Sequence, residues 1–99
     1  MKTDEEWIDL FIEEFHLKEE GKYLKETFSN IVKLAREEGK CSGHPQRTIL
    51  AAVAYISCLI VGHHIQQELI ANFFNCTSVS IRSNYTRLLD KLELEHHKV

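Results

Sequence analysis

Apolar side chains recur every three to four positions through the first part of the chain. Trp7, Ile8, Phe11, Ile12 and Phe15 make one stripe of a helix predicted from about Asp4 to Phe15. Asp4, Glu5 and Glu6 suit its start, where the helix dipole is positive. A second helix is predicted from about Gly21 or Lys22 to Glu38, with Leu24, Phe28, Ile31, Val32 and Ala35 at the same spacing. Gly39 stands after it as a left-handed stop. Both helices are amphipathic, so each has one face to hide.

The pattern then changes in kind. Beyond a loop, Cys41-Ser42-Gly43-His44-Pro45, the run from Ile49 to Val61 is almost free of polar residues. A helix from about Pro45 to Val61 that is apolar all round must be surrounded by others, and Ala51, Ala52 and Ala54 let those neighbours come close. The run is shorter than the ~20 residues that span a bilayer, so a core helix is expected and a membrane is not an expected partner. Gly62 ends the helix.

A short fourth helix, about Gln66 to Phe74, is expected to bury Leu69, Ile70 and Phe73 or Phe74. Asn75 tolerates the left-handed conformation that a tight turn needs. Thr77 or Ser78 can cap a fifth helix that runs to about Leu92 or Leu94 and turns Ile81, Tyr85, Leu88 and Leu92 inward. Residues 95–99, with His96 and His97, are read as a disordered tail. The expected fold is all-α: one domain over residues 1–94, a five-helix bundle whose last two helices form a helix-turn-helix over about 65–92.

Composition agrees with this reading. The chain has 99 residues, enough for a single core without metal or crosslinks, and only 4 glycines and 1 proline. Scarce turn formers beside plentiful Leu, Glu, Lys and Ala favour helices over strands. Cys41, Cys58 and Cys76 are odd in number and two lie in apolar runs, which fits buried thiols in a reducing compartment. The acidic start lacks the basic region of a signal peptide. The expected location is cytoplasmic and nucleoid-associated, or nuclear in a eukaryote.

The net charge of −3 conceals an asymmetry. Residues Met1–Gly39 carry six basic and eleven acidic side chains, whereas Lys40–Lys91 carry five basic and two acidic. A polyanion would meet the second half and avoid the first. In that half the fifth helix offers a stripe of Val79, Arg82, Ser83 and Thr86 that contains no acid. A helix-turn-helix lays the first turns of its second helix in the DNA major groove. There Arg82 can reach the two acceptors of a guanine and Val79 can sit against a thymine methyl. Ser78, Ser80 and Gln66, near helix N-termini, are candidate phosphate contacts, and Arg47 and Arg87 complete the candidate DNA-binding set.

Three blocks carry a family resemblance. Leu50–Leu59 reads LAAVAYISCL, Gly62–Ala71 reads GHHIQQELIA and Val79–Leu88 reads VSIRSNYTRL. They resemble, in turn, the alanine-rich central helix with its Tyr-Ile pair, the glycine, basic pair and Thr-Gln-x-Glu-[Ile/Val]-Ala block, and the Val-[Thr/Ser]-[Ile/Val]-Arg-x-x-Tyr recognition helix of the C-terminal cyclin-like repeat of transcription factor IIB and its archaeal counterpart, transcription factor B. The first two helices resemble that repeat in pattern only. The resemblance implies a five-helix cyclin-like bundle whose last two helices read a promoter element upstream of the TATA box, beside the TATA-binding protein. It places Val79 and Arg82 at base-reading positions and the block at Gln66 at the DNA backbone. The implied partners are double-stranded DNA and the TATA-binding protein, met by a monomer.

The departures from the family pattern concern the phosphate grip. The Gly-[Lys/Arg]-Ser-Pro loop becomes Gly43-His44-Pro45-Gln46, with a fixed positive charge lost. The basic pair becomes His63-His64, which exchanges fixed charge for titratable rings. The capping threonine becomes Ile65, so Glu68 loses its hydroxyl partner. Complete members carry two repeats and a zinc ribbon, and these residues hold one repeat and no ribbon signature.

Other chemistries find little support. Cys41-x-x-His44 is one ligand pair where a structural zinc site needs two, there is no Gly-rich phosphate loop, and no nucleophile has a base and oxyanion loop at a familiar spacing. No cofactor, metal site or enzymatic activity is expected. The rival to DNA binding is a cyclin-like protein–protein interaction module that has lost DNA binding, favoured by the acidic first half and the His63-His64 replacement.

Overall fold

The computed structural model describes residues 3–37 and 46–97, with side chains at 37 and 91–97 outside the description. Five helices follow in order: α1 (Asp4–Glu14), α2 (Gly21–Glu37), α3 (Gln46–Val61), α4 (Gln67–Phe74) and α5 (Ser78–His97). No strand occurs among the described residues. Each helix lies where periodicity put it, to within a few residues. α5 runs through His97, past the expected end at Leu92 or Leu94 and into the stretch read as a tail. The expected Gly39 stop and the Cys41–Pro45 loop lie outside the described residues.

α3 is the centre. Every residue from Thr48 to Cys58 is buried, and α3 packs against α2, α4 and α5 in turn. Ala51, Ala52 and Ala54 face these neighbours with no exposed surface. Ser57, near the end of this buried run, donates its hydroxyl to the Val53 carbonyl at 2.7 Å and so enters the core satisfied. The helix emerges only at its two ends, where Gln46 and Arg47, then Leu59 and Ile60, are exposed. Gly62 then turns left-handed at φ 89°, and the His63 N–H closes on the Cys58 carbonyl at 2.8 Å.

α1 is fastened at its start and packed along its length. Thr3 and Glu6 form a reciprocal capping box, the Glu6 N–H reaching the Thr3 hydroxyl at 3.2 Å while the Glu6 carboxylate accepts from the Thr3 N–H. Asp4 grips the Arg36 guanidinium through both oxygens and accepts from the Gln46 side chain at 2.9 Å, which draws together one end each of α1, α2 and α3. Along α1, Trp7, Phe11 and Phe15 meet Phe73 and Phe74 of α4 in one aromatic cluster. Its ring centroids are 4.8–5.9 Å apart, mostly edge-on or tilted. One expectation needs correction. Leu69, expected in the core, is 49% exposed, because α4 turns Ile70, Ala71 and Phe74 inward and uses both phenylalanines against α1.

Phe74 has no exposed surface and touches Trp7, Phe11 and Phe73, so Phe74→Ala should cost about 3–5 kcal/mol in urea unfolding. A loss below ~1 kcal/mol would remove Phe74 from the core. Burial pushes the Cys58 thiol up to about 12 and also raises Cys76, more weakly. Brief alkylation at pH 8 with peptide mapping should therefore leave Cys58 unmodified in the folded chain and label it readily in urea, since the thiolate is the reactive form.

Candidate nucleic-acid interface

The unit formed by α4 and α5 is built from short-range rules. α4 stops because Asn75 adopts the left-handed conformation at φ 57°, and the Cys76 N–H then closes on the Ala71 carbonyl at 2.9 Å. Asparagine is among the few residues that occupy this region at small cost. Cys76 packs half-buried against the core, in the apolar turn position. Thr77, rather than Ser78, caps α5: its hydroxyl oxygen accepts from the Ser80 N–H at 3.2 Å and its proton goes to the Ser80 hydroxyl at 2.9 Å. Ser80 keeps its own O–H to donate.

The rotation of α5 is fixed by what it buries. Ile81 and Leu88 enter the core, and the Tyr85 ring packs edge-on against Tyr55 of α3 at 5.1 Å and 81°. Tyr55 in turn meets the His64 ring at 6.4 Å, which ties the loop before α4 to the same contact. With those residues inward, Val79, Arg82, Ser83 and Thr86 all face solvent, Val79 at 68%. The Arg82 side chain has no ion pair or hydrogen bond among the described residues. The Thr86 hydroxyl donates to the Arg82 carbonyl at 2.9 Å, which leaves its methyl and lone pair outward.

The remaining candidates fall in different places. Arg47, exposed at the start of α3, lies near enough to Cys76 to act on its thiol electrostatically, and so stands beside the α4–α5 turn. Gln66 is exposed at the opposite end of α4, where it makes no side-chain capping bond. α4 has 8 residues, so Gln66 stands roughly 12 Å from the turn. Ser78 and Ser80 are half-buried in the first turn of α5.

Arg87 is held inward by a residue absent from the candidate set. Asn84, only 4% exposed, donates to the Ser80 carbonyl at 2.9 Å and accepts from the Arg87 guanidinium at 2.7 Å. The spacing already places Asn84 on the inward stripe, three residues after Ile81 and four before Leu88. The expected inward stripe of Ile81, Tyr85, Leu88 and Leu92 does not include it. Half of the basic charge on α5 up to residue 90 is thus engaged in supporting the helix, while Arg82 is not.

The family model described as Transcription factor TFIIB repeat matches residues 2–91. The chain is 28% identical over 90 residues to Transcription initiation factor IIB 1 of Thermococcus kodakarensis, covering 91% of this chain and 29% of that protein. It is 32% identical over 65 residues to Transcription initiation factor IIB of Archaeoglobus fulgidus, covering 66% of this chain and 20% of that protein. The chain therefore spans less than a third of the length of these curated relatives. No solved structure matches it.

Asn84 and Arg87 should be energetically coupled. Urea unfolding of Asn84→Ala, Arg87→Ala and the double variant should give a coupling of about 0.5–1.5 kcal/mol, with Asn84→Ala alone costing about 1–3 kcal/mol. Additive losses would show that the guanidinium does not depend on the amide.

Proposed function

The chain belongs to the transcription factor TFIIB repeat family, and from that premise we propose that this transcription-related domain docks on duplex promoter DNA through α4 and α5. The observation that carries the reading is the leading face of α5. Val79 and Arg82 stand exposed in its first turns, with no acid on α5 before Asp90 and no partner for the guanidinium among the described residues. In a major groove Arg82 donates two hydrogen bonds to guanine O6 and N7, and Val79 covers a thymine methyl. Ser83 and Thr86 flank that contact.

Arg47 beside the turn, Gln66 at the start of α4, and Ser78 and Ser80 at the start of α5 set the register through phosphates, which position without reading sequence. Arg87 contributes indirectly, by holding Asn84 and with it the rotation of the helix. The TATA-binding protein is the partner that the family resemblance implies, and a nucleoid or nuclear location follows from the same role. No helix among the described residues is long and apolar enough to cross a membrane. Nothing in this reading calls for a catalytic step or a cofactor.

With few fixed cations on the face, affinity is modest and its salt dependence shallow. Two or three neutralised phosphates give a slope of about −2 to −3 in log K against log salt. A protein–protein module is the second reading. It is favoured by the acidic first half of the chain and by the engagement of Arg87 with Asn84.

Arg82→Ala should weaken binding to a preferred duplex by about 1–3 kcal/mol, roughly 5- to 150-fold, in fluorescence anisotropy at low salt, and relax discrimination at one base pair. The preferred duplex is obtained by selection from a random library. Equal affinity of the wild-type and Arg82→Ala chains would sink the DNA reading and leave the interaction module.

A further inference from the structure

A second surface lies away from the candidate DNA face. Trp7, Leu10, Glu13, Glu14 and His16, from α1 and the turn that ends it, and Phe73 of α4 line an open groove of about 700 Å³. No residue of α5 belongs to it. Its floor is apolar: Trp7 and Phe73 are half-buried with their rings 5.9 Å apart, and Leu10 beside them is 40% exposed. Its rim is acidic, and the acids are placed against the local field. Glu13 and Glu14 occupy the last turn of α1, which has no basic residue and where the helix dipole is negative.

The other acids of α1 have partners. Asp4 holds Arg36, Lys25 lies 3.4 Å from Glu5 and 3.0 Å from Asp9, and Glu6 completes the capping box. Glu13 and Glu14 have no ion pair among the described residues. Two carboxylates that repel each other and the helix end, set beside exposed leucine and half-buried aromatic surface, are complementary to a ligand that is both cationic and apolar. DNA is excluded by charge.

We propose that the α1–α4 groove is a docking site for a basic amphipathic segment of a partner protein, whose apolar side chains cover Leu10, Trp7 and Phe73 while a lysine or arginine reaches Glu13 and Glu14. This is the helix-in-groove mode, in which apolar anchors supply affinity and rim charges select the partner. The site stands independently of the DNA reading, since it shares no residue with the α5 face.

Trp7 is the single tryptophan and lines the groove, so its fluorescence reports occupancy directly. The probe is a synthetic helical peptide with leucines at i, i+3, i+4 and i+7 and lysines and arginines elsewhere, titrated into the full chain. Controls carry the same composition with scrambled leucines, or glutamate at every basic position. The expected result is saturable change in Trp7 emission with the basic amphipathic peptide alone. Glu13→Gln with Glu14→Gln should weaken binding about three- to tenfold, and Leu10→Ala about five- to tenfold, with unfolding midpoints little changed because all three side chains are exposed.

Equal binding of the scrambled peptide, or binding unaffected by these variants, overturns the proposal. So does a Trp7 response to duplex DNA. Concentration-dependent self-association abolished by Glu13→Gln with Glu14→Gln, with no peptide response, overturns it in favour of a second copy.

Discussion

The burial of α3 on every side is the constraint from which the rest of the molecule follows. A helix hidden from Thr48 to Cys58 needs neighbours all round, and α2, α4 and α5 supply them. Each neighbour must then turn its own apolar stripe toward α3. For α5 this fixes rotation to within a fraction of a turn, because Ile81, Asn84, Tyr85 and Leu88 fall on one side of a 3.6-residue period and Val79, Arg82, Ser83 and Thr86 on the other. The outward face is therefore a consequence of the core. Changing Tyr55 or Tyr85 would reach Arg82 without touching it, since their ring contact sets the angle at which the helix presents its guanidinium.

α1 is joined to this core differently, through aromatic rings at its middle and an ion pair at its start. The phenylalanines of α4 face α1 while the short turn after them positions α5, so one eight-residue helix transmits packing in both directions. Asp4 closes the same end of the bundle by holding α2 and the first residue of α3. An exposed ion pair alone contributes little, but a two-oxygen grip on arginine with a third bond to Gln46 restrains three elements at once.

Helix positions were legible in the sequence because each is marked by a period and by a stop. The 3.6-residue spacing located the helices, and Asn75 and Gly62 revealed the turns through the one conformation they favour. The Thr3–Glu6 box has an equally local signature, a threonine three residues before a glutamate, which the acidic run around it masks. Leu69 was misplaced because α4 carries more apolar residues than one face can hide, and periodicity alone does not choose which one is left outside. Asn84 shows the converse: its place on the stripe follows from the spacing, and the Ser80 carbonyl and Arg87 guanidinium that satisfy its amide are what allow its burial. The proximity of Arg47 to Cys76 joins residues far apart in sequence and has no local signature at all.

Charge illustrates the same distinction between what a sequence counts and what a fold leaves over. By composition the first half is net acidic and the second moderately basic. The fold subtracts from both. Lys25 is held above its ordinary value by Asp9 and then Glu5, Arg36 is held by Asp4, and Arg87 is committed to Asn84. Among the charges left without an ion pair in the described residues are Glu13 and Glu14 at one helix end, Arg82 on another helix and Arg47 beside a turn. Over distances beyond the ~8 Å screening length of physiological salt, such leftovers act as separate local fields rather than as one net charge. Recognition by a chain this small therefore depends on where folding leaves charge unmatched beside a face that can dock, and the acids ending α1 and the arginine of α5 call for partners of opposite sign.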